Sequence, residues 1–102
     1  MNIEERVQIA ILNKYYGKML TDRQQDILKM YVDNNLSLAE VSEELAISRQ
    51  AVKSAVDTAL QTLKDTEELL GFVKRDNRIK EIIENKNIDL TTKLELIALL
   101  EE

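Results

Sequence analysis

The sequence predicts an all-α protein: a helix-turn-helix, DNA-binding-type bundle followed by a C-terminal helical hairpin. Three observations carry that expectation. Proline is absent and glycine occurs only twice in 102 residues, so little interrupts a helix. Val, Ile and Thr never alternate long enough to suggest a sheet. The run from Leu38 to Val52 reads as a short helix, a tight turn and a capped second helix.

The first helix is expected over Glu4–Tyr16. Ile3, Val7, Ile11 (or Ala10) and Tyr15 recur at spacings of four and form one apolar stripe that should face the core. Gly17 is expected to end this helix in a left-handed conformation. Thr21 and Gln24 form a capping box for a second helix over Asp22–Asp33, whose inner face is Ile27, Leu28, Tyr31 and Val32. Asn34 and Asn35 stop it.

Ser37 and Glu40 form another capping box and start a helix of about two turns ending at Leu45, with Leu38, Val41 and Leu45 inward. After Ala46 and Ile47, Ser48 is the N-cap of the next helix. Ala46 stands where such a turn prefers Gly, and a positive φ there costs about 1 kcal/mol. Val52, Val56, Ala59, Leu60 and Leu63 mark the buried side of the fourth helix, and Arg49, Gln50, Lys53, Ser54 and Asp57 the exposed side.

No breaker follows until Gly71, so this helix runs about 33 Å. Its surplus from Lys64 onward, with Leu69 and Leu70, is expected to pack on a fifth helix or on a second subunit. A fifth helix over Lys74–Glu84 carries Ile79, Ile82 and Ile83, and Asn85-Lys86-Asn87 is a polar loop. Thr92 and Glu95 provide a third capping box, with Leu94, Ile97, Ala98 and Leu100 lining the last helix. Two domains are expected: residues 1–70, the helix-turn-helix with its extended fourth helix, and residues 71–102, a helical extension.

Composition narrows the chemistry. With neither Cys nor His, thiol chemistry, disulfides, most zinc sites and imidazole catalysis are excluded. No cofactor or metal is expected, the tyrosines sit at core spacings, and no carboxylate pair stands out from a solvated helix face, so no enzyme is expected. No run approaches the 18 apolar residues of a membrane span, and the acidic Met1-Asn2-Ile3-Glu4-Glu5 start does not read as a signal peptide. A cytoplasmic protein without membrane insertion is the expectation.

The formal charge of −5 disfavours dispersed binding to nucleic acid, so any contact must be local. From Ser48 to Lys64, Arg49, Lys53 and Lys64 oppose Asp57 alone, a local +2, while Glu40, Glu43 and Glu44 contribute −3 close by. The candidate binding residues are Ser48, Arg49, Gln50, Lys53, Ser54 and Lys64. Arg, Lys, Gln and Ser suit base edges and phosphates, and the Ser48 end offers free backbone N–H groups.

The stretch Leu20–Leu63 resembles the fourth region of bacterial sigma factors. The likeness lies in Leu20-Thr21 with Arg23-Gln24, in Leu36-Ser37-Leu38-Ala39-Glu40-Val41-Ser42-Glu43-Glu44-Leu45, and in Ile47-Ser48-Arg49-Gln50-Ala51-Val52-Lys53-Ser54. It implies a winged-helix-like or sigma region 4-like bundle with Arg49, Gln50, Lys53 and Ser54 at base-reading positions. Residues 8–84, and Tyr15-Tyr16-Gly17 followed by Leu20-Thr21 above all, are similar to the YlxM family. Those small Gram-positive proteins are encoded beside the signal recognition particle protein and its receptor.

That resemblance implies an accessory or regulatory protein of the secretion pathway whose partner is the particle's protein, its RNA, or both. Sigma regions continue into a basic segment, whereas here Ala55 to Leu60 holds no Lys or Arg, which removes phosphate contacts. The alternative expectation is a homodimeric transcriptional regulator presenting two recognition helices about 34 Å apart to DNA. A third is a scaffold that uses the fold only to bind protein.

Overall fold

The structure, a computed structural model, describes residues 1–85 and 87–101. Lys86 of the expected Asn85–Asn87 loop lies outside them. The described residues form helices joined by short turns, with no strand among them. They comprise α1 (Ile3–Tyr16), a 3₁₀ turn (Gly17–Met19), α2 (Asp22–Leu28) prolonged by a π-turn (Lys29–Asp33), α3 (Leu38–Leu45), α4 (Arg49–Leu70), α5 (Phe72–Glu84) and α6 (Leu90–Leu100). The chain divides into two compact units, Met1–Leu70 and Gly71–Glu102.

Local capping starts five of the helices, α4 among them. Asn2 Oδ1 accepts the Glu5 N–H at 2.8 Å and opens α1. The boxes at Thr21/Gln24 and Ser37/Glu40 are both reciprocal, each with side chain and backbone bonds of 3.0–3.1 Å. At α6 the expectation is corrected: the cap is Asp89, whose Oδ1 accepts the Thr92 N–H at 2.8 Å, so Thr92 lies in the first turn. Asp89 has the extended backbone of a cap (φ −74, ψ 162), and the Thr92 hydroxyl donates to its Oδ2 at 3.1 Å.

In the first unit α4 packs against α1, α2 and α3 and forms its axis. Val52, Val56, Ala59 and Leu63 are buried on α4, facing a core built from Ile9, Tyr16, Leu20, Ile27, Leu28, Val32 and Val41. Leu38, Leu45, Leu60 and Tyr31, expected inside, are half-buried at its margin.

Tyr16 Oη donates to Glu67 Oε1 at 2.5 Å, so α4 meets the end of α1 about one turn beyond Lys64. Leu69 is 83% exposed.

Two expectations about α1 are overturned. Ile3, Val7 and Ile11 are exposed (78, 52 and 40%) and Tyr15 is half-buried, whereas Ile9 and Tyr16, seven residues apart, face the core. The helix carries apolar residues on two faces, and α4 covers only the one holding Ile9 and Tyr16.

Gly17 has φ −56, ordinary right-handed helix, and the chain tightens into the 3₁₀ turn without a left-handed residue. A Cβ there would sit 2.7 Å from Asn13 Oδ1, so the tip of the Asn13 side chain would have to move aside. The left-handed residues are Asn35, Ala46 and Gly71.

In the second unit α5 packs on α6. Its one buried residue among those described is a carboxylate, Asp76, which takes Arg75 Nη2 at 2.9 Å. The lining expected for α6 is corrected too. Leu94, Ile97 and Ala98 are exposed, and Leu96 with Leu100 form the half-buried face. Seven of its eleven positions are apolar and they are spread round the helix, so periodicity does not choose a face.

Candidate nucleic-acid interface

The helix-turn-helix is set by one turn and two valines. Val41 on α3 and Val52 on α4 are completely buried, which fixes both helices to the core. Between them Ala46 takes a left-handed conformation (φ 56, ψ 42), and α3 ends in a Schellman arrangement. The Ile47 N–H bonds to Ser42 O at 3.2 Å and the Ala46 N–H to Glu43 O at 3.4 Å. Ser42 Oγ donates to Ile47 O at 2.5 Å, tying the turn back to α3.

Ser48 then caps α4. Its Oγ accepts the Ala51 N–H at 3.0 Å and its carbonyl accepts the Val52 N–H at 3.1 Å. The N–H groups of Arg49 and Gln50 are left at the positive end of a 22-residue helix.

Burying Val52, Val56 and Ala59 turns the opposite face outward, and Ser48, Arg49, Gln50, Lys53 and Ser54 are all exposed at its start. Arg49 forms no ion pair among the described residues. Lys53 Nζ lies 3.1 Å from Asp57 Oδ2, with both side chains more than half exposed. An exposed pair at this spacing contributes about 0.3–0.5 kcal/mol, so a phosphate displaces it at little cost. Lys64 is exposed as well but stands about 16 Å further along the helix than Lys53. Asp57 lies within that interval and Asp65 just beyond it, where it accepts from Gln61 Nε2 at 2.8 Å.

The structure therefore gathers five of the six candidate residues on one helical end and leaves Lys64 apart. Glu40, Glu43 and Glu44 are exposed on α3, and Glu40 is held at the Ser37 N–H by its box. The surface is a small cationic spot beside an anionic helix, able to take a few phosphates in one orientation. It lacks the continuous basic track of strong non-specific binders.

A family model described as "Putative helix-turn-helix protein, YlxM / p13 like" (UPF0122) matches residues 3–102. A UPF0122 protein of Desulforamulus reducens is 39% identical over 87 residues, covering 84% of this chain and 74% of its own length. One from Caldanaerobacter subterraneus subsp. tengcongensis is 43% identical over 76 residues, 74% of this chain and 65% of its own. One from Acetivibrio thermocellus is 39% identical over 90 residues, 83% of this chain and 77% of its own. The matched stretch thus leaves 23 to 35% of these relatives' length outside it.

Proposed function

The chain belongs to the UPF0122 family of helix-turn-helix proteins, and from that premise we propose that it is a non-enzymatic, cytoplasmic accessory protein of the signal recognition particle pathway. It touches the particle's RNA or protein through the exposed start of α4. One observation carries the contact: the left-handed Ala46 turn and the Ser48 cap set Arg49, Gln50, Lys53 and Ser54 together on one solvent-facing surface with two open backbone N–H groups. The particle itself enters through the YlxM resemblance. No helix among the described residues is long and apolar enough to cross a membrane.

The test is fluorescence anisotropy with the particle's RNA, its protein, the two assembled, and a duplex DNA, using the full chain and its R49E/K53E variant. Saturable binding to the particle or one component, weakened at least tenfold in the variant and falling with salt, supports the reading. No particle binding, or binding indifferent to both changes, overturns it.

A second reading, a DNA-binding regulator acting as a homodimer, draws support from α6. Leu90 and Leu94 are 71 and 57% exposed there, apolar surface of the kind a subunit contact covers. Sequence-dependent duplex binding by a species of twice the monomer mass, without particle binding, would replace the first reading with this one.

A further inference from the structure

Three lysines outside the helix-turn-helix converge on one cleft of the first unit. Lys14 in the last turn of α1, Lys18 in the 3₁₀ turn and Lys29 at the start of the π-turn line a space of about 380 Å³. All three are exposed, and none forms an ion pair among the described residues. Asp26 and Asp33 stand on the same rim. Cations left unpaired beside available carboxylates keep their charge for an outside anion.

The cleft has backbone among its walls. Gly17 lines it, and a Cβ there would displace the Asn13 side chain, as its 2.7 Å approach to Asn13 Oδ1 shows. Gln25 Nε2 donates to the Gly17 carbonyl at 2.5 Å and pins the turn to α2. Lys29 and Asp33 are the two ends of the π-turn. Its wide ring is closed by the Asn34 N–H on Lys29 O at 3.0 Å. Such turns recur at functional sites, since the wider turn re-aims the side chains it carries.

We propose that this cleft binds one nucleotide, its phosphate on Lys14, Lys18 and Lys29 and its hydroxyl or amino donors on Asp26 and Asp33. The two carboxylates repel a bare phosphate ion but accept hydrogen bonds from a ligand that brings donors with its anion. The volume lies at the small end of the roughly 300–1,000 Å³ of ligand clefts, room for one nucleotide and not for a strand. A free nucleotide and a single residue of an RNA chain present the same chemistry. The site is separate from the start of α4, so it stands or falls independently of the function proposed above.

The test is a titration of the ¹⁵N-labelled full chain, followed by NMR, with ATP, AMP, a uridine decanucleotide and inorganic phosphate. It is repeated with K14E/K29E and with the milder K14Q/K29Q, each first checked for an unchanged thermal transition. The expected result is saturable shifts at the Lys14, Gly17, Lys18 and Lys29 amides. Binding at these amides weakens at least tenfold in K14E/K29E and falls in K14Q/K29Q. ATP or AMP binding without the oligonucleotide identifies a free nucleotide, and tighter oligonucleotide binding through the same amides identifies a single residue of an RNA chain. The proposal is overturned by no shifts at the cleft amides with any probe, by no saturation of them, by equal affinity for inorganic phosphate, or by lysine variants that bind as the parent does.

Discussion

Ala46 holds the recognition turn in a conformation that L residues other than Asn and Asp rarely adopt. Three positions of the described chain are left-handed, occupied by Asn35, Ala46 and Gly71. Asn and Gly take that conformation readily, whereas an alanine Cβ crowds the following carbonyl at a cost of roughly 1–2 kcal/mol. Ala46 is exposed, so its methyl returns little packing. Ala46→Gly should therefore stabilise the chain by about 0.5–1 kcal/mol after the extra chain entropy of glycine is subtracted. The midpoint of thermal unfolding should rise by a few degrees. A lower midpoint would show that the methyl packs more than its exposure indicates. The exposed start of α4 was readable at this scale because Ser48 and the Arg49–Lys53 spacing are local features. The separateness of Lys64 follows from the helical rise once the helix is continuous.

Helix starts obey the same local logic, and Asp89 makes α6 pH-dependent. The Thr92 backbone N–H first, and its hydroxyl second, hold the Asp89 carboxyl below the usual aspartate value of 3.8. A carboxylate favoured in the folded state adds its stability fully above the unfolded value and loses it as pH falls through the lowered folded one. The α6 amides should thus lose helical shifts in NMR spectra only as pH drops below about 3.8. Asp89→Asn keeps a cap but removes that transition, and an acid transition persisting in the variant would place its cause elsewhere.

The sequence could not choose a face for α1 or α6. Ile3, Val7 and Ile11 make as good a stripe as Ile9 with Tyr16, and α6 is apolar almost all round. The choice belongs to whatever packs on the helix. The same holds for the cap of α6, where Asp89 and Thr92 both carry suitable oxygens and only the backbone conformation tells which is outside the helix.

For the whole molecule, every buried apolar side chain among the described residues lies between Ile9 and Leu63. Residues 1–70 should accordingly fold without the rest. A 1–70 fragment is expected to melt cooperatively in circular dichroism and to keep the Arg49–Ser54 surface, whereas residues 71–102 alone should show no cooperative transition. Non-cooperative melting of the 1–70 fragment would mean that the second unit completes the core.

What the sequence determined by itself was a set of short-range properties: the all-helical class, the reciprocal caps at Thr21 and Ser37, the Ser48 start of α4, and the apolar face from Val52 to Leu63. Each depends on residues within about two turns of one another, where spacing and hydrogen-bonding reach decide. Only the tertiary structure decided which side of α1 is covered, that the end of α4 reaches Tyr16, and that Lys14, Lys18 and Lys29 share a cleft. Those outcomes depend on contacts between distant segments, and periodicity within one helix carries no record of its neighbours.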